Sequence, residues 1–475
     1  MKSNAYLFPK VLPMPTFSRT ALALAASMTF GCAMAAKPTA KEEALARKVD
    51  QLESEVQSLK AQMAELLQAQ AQARAAAAAP PATGNTIAGN PGAPTAVASP
   101  AWSGGASTAA AAPVAAAPSM PGTSEPATAL SGYAELGYSR PQHDSANAKA
   151  DVQRFVLGYQ HRFDEKTKVV TELEVEHAVS STDDPGEVEV EQAFIEHQFH
   201  PNWAARMGLF LMPVGLLNEN HEPDAYYGVY RNFVETAIIP TTWREGGIQF
   251  VGNLDNGWTL QAGLSTSFDL SRWDATKESE GQTSPLGSIH QEMAQANARD
   301  IAVFGAVNWR GIPGLQLGGS IFSGDAGQGR TTQNVNGRVT LWDLHARWTP
   351  RNWDLSALYA RGTIGNTARL NETLLGSAVL IPKRFDGWYT QAAYHLWRYQ
   401  NYALTPFVRY EQFNTGRSYA FLGEGVTPSG LPTEKVWTVG TNFQLAPGVV
   451  LKADYQHFDV NSKATRIDLG VGWSF

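Results

Sequence analysis

Residues 465–475 read Thr-Arg-Ile-Asp-Leu-Gly-Val-Gly-Trp-Ser-Phe. Ile467, Leu469, Val471, Trp473 and Phe475 share one parity; Arg466, Asp468, Gly470, Gly472 and Ser474 share the other. Period two is the period of a β-strand, here with one lipid-compatible face and one wet face. Upstream, in 449–458, Leu451, Ala453 and Tyr455 oppose Lys452, Asp454 and Gln456. In 436–445, Trp437, Val439, Thr441, Phe443 and Leu445 oppose Thr438, Gly440, Asn442 and Gln444. The same pattern recurs near 129–139, 152–163, 167–178, 187–199, 202–212, 244–252, 257–266, 301–309, 314–323, 338–348, 352–362, 386–397 and 402–413. That makes about sixteen strands, an even number. The strand near 187–199 changes phase between Val190 and Ala193, which predicts a bulge.

The connections alternate. Tight turns fall at 164–166, 200–202, 254–256, 310–313, 349–351, 398–401 and 446–448. Between them lie long polar segments at 179–186, 213–243, 267–300, 324–336, 363–385 and 413–433. A soluble sandwich has no reason to gather its long loops at one end, whereas a transmembrane barrel has a periplasmic and an external rim. The fold class expected is therefore all-β, a transmembrane antiparallel β-barrel over 128–475. Phe163, Phe199, Trp203, Trp258, Trp309, Trp348, Trp353 and Trp473 stand beside the short turns, as an interfacial aromatic girdle would. Charged residues make up only 17% of the chain, and no stretch after residue 36 is apolar enough to be a membrane helix.

Residues 1–36 read as a secretory signal peptide: Lys2, Lys10 and Arg19 precede an apolar run, and Ala33-Met34-Ala35 fits a cleavage site. The sole cysteine, Cys32, lies inside it, so the mature chain is expected to carry no disulfide. Within 37–74, Leu45, Val49, Leu52, Val56, Leu59, Met63 and Leu66 form a heptad seam, which predicts an α-helical coiled coil. Residues 75–127 form an Ala/Pro-rich linker with too little apolar content to fold.

No metal-ligand histidine spacing and no Gly-x-Ser-x-Gly element occurs, so neither an enzyme nor a cofactor is expected. Glu219-Asn220-His221-Glu222-Pro223-Asp224 is the densest polar cluster, and reads better as a loop turn than as a metal site. Segment 213–243 is the third external loop. Its Tyr226, Tyr227, Val229, Tyr230, Phe233, Ile238 and Ile239 are too many apolar groups for a solvated loop, so it is expected to pack into the lumen. Glu219, His221, Glu222, Asp224, Arg231 and Glu235 would then line a constriction.

Arg206-Met207-Gly208-Leu209-Phe210 through Pro213-Val214-Gly215, then Arg231, Pro240 and Arg244-Glu245-Gly246-Gly247, resemble the phosphate-selective porins O and P. The resemblance implies a sixteen-stranded trimer that conducts small anions passively through an arginine-lined pore. Val at a with Leu at d in the heptads leans instead toward two strands. Partners expected are outer-membrane lipid and lipopolysaccharide, the barrel-assembly machinery through the terminal aromatic Phe475, and peptidoglycan through the periplasmic coiled coil; no nucleic acid is expected.

Lumen-parity cations are Arg154, Arg162, Arg206, Arg347, Arg409, Arg466 and Lys452. Against them, Glu172, Glu174 and Glu176 share one face, and Glu187, Glu189 and Glu191 share a face of the next strand. Acidic residues outnumber basic ones by 20 to 9 over 128–267, and number 17 to 19 over 268–475. One half of the wall is thus acidic, which suits a transverse field better than a basic funnel. Local pairing, for instance Arg154 with Glu176, would blunt that field.

Overall fold

In the computed structural model, residues 127–181, 183–276 and 282–475 are described; the signal peptide, coiled coil and nearly all of the linker lie outside them. The strands are β1 (Thr128–Pro141), β2 (Lys149–Arg162), β3 (Thr167–Glu176), β4 (Glu187–His200), β5 (Trp203–Leu211), β6 (Arg244–Asn253), β7 (Trp258–Thr266), β8 (Ile301–Ile312) and β9 (Leu315–Asp325). They continue as β10 (Arg338–Trp348), β11 (Trp353–Ile364), β12 (Arg384–Tyr394), β13 (Trp397–Tyr399), β14 (Tyr402–Ser418), β15 (Glu434–Ala446), β16 (Val449–Phe458) and β17 (Arg466–Ser474). Every neighbour pairs antiparallel, and β1 pairs with β17 from Tyr133↔Ser474 to Pro141↔Arg466. The sheet is therefore closed. Both β12 and β13 pair with β14, so they are one stave interrupted at 395–396, and the barrel has sixteen staves.

Alternation explains the barrel's polarity. Leu157, Leu173, Ile195, Ile248, Leu264, Val303, Ile321 and Leu344 are exposed on the outside. The opposite parity buries Glu135, Arg154, Gln249, Asp343, Arg409, Lys452 and Asp468. An apolar exterior around a polar interior is the arrangement of a membrane barrel. Among the described residues no helix is long and apolar enough to cross a membrane. Phe163, Trp258, Trp348, Trp353, Trp397, Tyr399 and Tyr402 are exposed beside the short turns, forming the aromatic belt.

Local chemistry sets the short rim. At the first turn the Asp164 carboxylate accepts from the Lys166 and Thr167 amides, each at 2.7 Å. At the last, Gly448 adopts φ +76°, which a side chain would resist. The expected bulge is present: Gln192 pairs with Glu172 and Val190 with Leu173, leaving Glu191 as the extra residue. It lets Glu191 and Gln192, adjacent in sequence, both serve the interior.

Candidate functional site

The connection 212–243 between β5 and β6 runs inside the barrel. It turns in at Gly215, whose φ is +73°. Met212, Val214, Tyr226, Val229, Val234, Ile238, Ile239 and Trp243 are all buried. Phe233 stacks on Phe413 at 5.3 Å and meets Phe458 edge-on at 5.2 Å. Trp243 stacks on Phe268 at 5.0 Å and meets Phe322 at 4.8 Å.

A loop inside a barrel must satisfy its backbone without a ladder of its own. The wall supplies the acceptors. Asp343 Oδ2 takes the Gly215 amide at 3.2 Å, Asp454 Oδ2 the Val229 amide at 2.7 Å and Glu411 Oε2 the Phe233 amide at 2.6 Å. Asn442 takes the Gly228 amide at 3.2 Å and donates to the Tyr226 carbonyl at 3.1 Å. Donors are supplied too: Arg154 Nη2 reaches the His221 carbonyl at 2.7 Å and Arg409 Nη1 the Tyr227 carbonyl at 3.2 Å. Glu235 ties the two limbs together, accepting from the Leu216 and Leu217 amides at 2.6 and 2.8 Å, from Asn232 at 2.8 Å and from Tyr389 at 3.0 Å. Burial pushes its carboxyl above the usual range, against the lowering effect of those donors.

The other loop residues expected at a constriction occupy distinct positions. Glu219 accepts from Gln261 at 2.9 Å and stands 3.8 Å from Arg206. His221 Nδ1 lies 2.9 Å from the Asn218 carbonyl, while Nε2 lies 2.8 Å from both Glu191 and the Tyr133 hydroxyl. Glu222 has one buried oxygen without a hydrogen-bond partner, and Asp224 is exposed. Arg231 is buried and donates to the Thr242 hydroxyl at 3.0 Å. The cluster 219–224 is thus spread over several partners, and among the described residues no three His, Cys, Asp or Glu side chains converge as a metal site.

The wall arginines are engaged as well. Arg206 holds Glu196 at 2.8 Å, Arg347 holds Asp354 at 2.6 Å, Arg409 holds Glu411 at 3.0 Å and Arg466 holds Asp468 at 2.9 Å. Lys452 lies 3.5 Å above the Tyr226 ring, and Arg162 ends β2 at the short rim. Arg154 faces Glu176 in the β2–β3 ladder, but its side chain bonds Glu135 at 3.0 Å instead. The β1–β2 register brings Glu135 directly opposite Arg154, and a strand face offers only one closest carboxylate.

The β3–β4 wall contrasts with this. Glu174 opposes Glu189 and Glu176 opposes Glu187 across the ladder. Arg244 contacts Glu189, and reaches Glu292 of the following loop at 3.1 Å. Gln192 donates to Glu172. Among the described residues, Glu172, Glu174, Glu176 and Glu187 make no salt bridge. A cavity of about 200 Å³ lies beside this wall on the short-turn side of the loop, bordered by Lys168, Glu172, Glu196, Arg206, Glu219, Glu222, Arg310 and Arg347.

Three features lie beyond the sequence reading. Arg244 contacts the acidic wall; Arg310 borders the cavity; and 267–300 buries Phe268, Leu270, Trp273, Leu286 and Ile289 rather than standing in solvent. Arg244 and Arg310 sit on inward parity at strand ends, a signal that was available. The apolar residues of 267–300 follow no fixed period, so only their number hinted at burial.

A closed sixteen-stave barrel with an apolar belt, a polar interior and a loop docked inside has the porin-type barrel fold. Its fold is similar to that of Salmonella typhi OmpF in complex with daunomycin, with a TM-score of 0.52 and 14% identity over 73% of this chain and 97% of that one. An anion-selective porin from Comamonas acidovorans aligns with a TM-score of 0.47 and 11% identity over 73% of this chain and 99% of that one, a likeness that adds nothing to the fold assignment. No family model matches the chain. An uncharacterized protein of Aquifex aeolicus (strain VF5) is 30% identical over 349 residues, spanning 70% of this chain and 76% of that protein, and the chain belongs to the same family as that protein.

Proposed function

We propose that the protein is a passive outer-membrane channel for small ions and hydrophilic solutes, with a preference for cations. The observation that carries this is the set of carboxylates Glu172, Glu174, Glu176 and Glu187 on β3 and β4 without salt-bridge partners among the described residues, beside a cavity of about 200 Å³. Fixed charges of one sign in a low-dielectric lumen concentrate counter-ions. Loop 212–243 is the constriction, because it occupies the interior between that wall and β14–β17. The resemblance to phosphate-selective porins argues for anions. Against it, Arg206, Arg347, Arg409 and Arg466 are each already held by a carboxylate, and an arginine so engaged has little left for phosphate.

In this reading the barrel lies in the outer membrane against lipid and lipopolysaccharide, assembled through Phe475 as a homotrimer, and 37–74 extends as a coiled coil into the periplasm. The heptad seam also favours a second reading, a structural anchor that reaches peptidoglycan through the coiled coil. The test is single-channel recording from the barrel lacking 37–127 in planar bilayers. Discrete, ohmic steps support the channel. A correctly folded barrel that conducts nothing supports the anchor and overturns the channel.

A further inference from the structure

The cavity on the short-turn side of the loop has a charge pattern that conduction of simple ions does not require. Some of its charges cancel within the wall: Lys168 and Arg206 share Glu196 at 3.0 and 2.8 Å. Others do not. On β8, Arg310 donates to Gln316 at 3.3 Å and makes no ion pair among the described residues. Among the described residues, Glu172 on β3 is bonded only by the Gln192 amide, and Glu222 of the loop has a buried oxygen without a partner. One cation and two carboxylates that make no salt bridge among the described residues therefore border one cavity. At about 200 Å³ that space is smaller than the roughly 300–1,000 Å³ of pockets for drug-sized ligands.

We propose that this cavity is a transit site for small zwitterionic solutes of the amino-acid type, the solute carboxylate lying on Arg310 and its ammonium on Glu172 and Glu222. The proposal rests on the channel reading and deepens it. A guanidinium presents a fork that matches a carboxylate, and an ammonium has only donors to offer two groups that only accept. A simple anion meets repulsion from the glutamates, and a simple cation meets it from Arg310. A zwitterion meets neither. Binding at such a site raises local concentration, and weak binding lets the solute leave.

The test is osmotic swelling of liposomes carrying the full chain, driven by alanine or by lactamide, its uncharged isomer of the same composition. Alanine should enter at least about three-fold faster than lactamide. The ratio should fall to near one in Arg310→Gln, and separately in the double variant Glu172→Gln, Glu222→Gln, with heat-modifiable migration used to check folding. Arg310→Lys should retain part of the ratio, since it keeps the charge and loses the fork. Equal entry of both solutes into wild-type liposomes would overturn the zwitterion site and leave the channel standing. No entry of either would overturn the channel reading, and this proposal with it. A ratio that survives in both variant sets would show that these residues are not the site.

Discussion

On β14 and β17, Arg409 holds Glu411 and Arg466 holds Asp468; on β3 and β4, Glu174 faces Glu189 and Glu176 faces Glu187, with Arg244 contacting Glu189 alone of the four. The paired wall uses its carboxylates structurally. Glu411 and Asp454 accept the amides of Phe233 and Val229, so that side of the barrel becomes the dock for the loop. The acidic wall meets the loop through His221 on Glu191. The same residue type thus does two jobs. On one wall carboxylates cap backbone donors of the loop; on the other we propose that they set the field in the lumen.

The largest effect should come from removing what the paired wall holds. Deleting 218–236 takes away the docked loop, and single-channel conductance should rise several-fold. Unchanged conductance from a folded barrel would show that the narrowest point lies elsewhere. Next comes the acidic wall. Changing Glu172, Glu174 and Glu189 to Gln should cut the cation preference to about half or less of its wild-type value, read as reversal potential in a salt gradient. A potential that does not move would mean that these glutamates are neutralised locally.

A smaller effect is expected at the dock. Glu411→Ala leaves Arg409 buried without its partner and the Phe233 amide without its acceptor. Breaking a buried pair on one side costs about 3–5 kcal/mol, and the loop can relieve part of it by loosening. The denaturation midpoint in detergent should fall and open-channel noise should rise; if neither moves, the loop is held by its apolar contacts. The smallest effect on equilibrium stability belongs to Phe475, whose amide and carbonyl bond Gly132 at 2.9 and 3.0 Å where β1 closes on β17. Its deletion should cost only about 1–3 kcal/mol in refolding yield, yet reduce outer-membrane assembly in cells far more. Equal losses in both assays would make it an ordinary packing residue.

Strand identity was legible because a barrel strand writes its two faces directly into alternate residues, as Ile467 to Phe475 do. The bulge was legible for the same reason, since the alternation slips phase between Val190 and Ala193. The charge pairs were half legible. Arg409 with Glu411, and Arg466 with Asp468, are two residues apart and must share a face. Arg347 with Asp354 required the register of a hairpin, and Arg154 with Glu135 required that of β1 on β2. Listing lumen arginines without these partners left open which of them are already held by a carboxylate. The docking points on the loop were not legible, because Val229 and Phe233 are held through backbone amides, which carry no residue-specific signal.

The central claim is that the uncompensated carboxylates of β3 and β4 set the field in a water-filled lumen. Zero-current potential across a bilayer holding the wild-type protein, under a potassium chloride gradient, tests it most directly. A potential of the sign that marks potassium as the more permeant ion, shrinking as ionic strength rises, is the result expected. A potential of the opposite sign would place the controlling charge on the arginines and contradict the account.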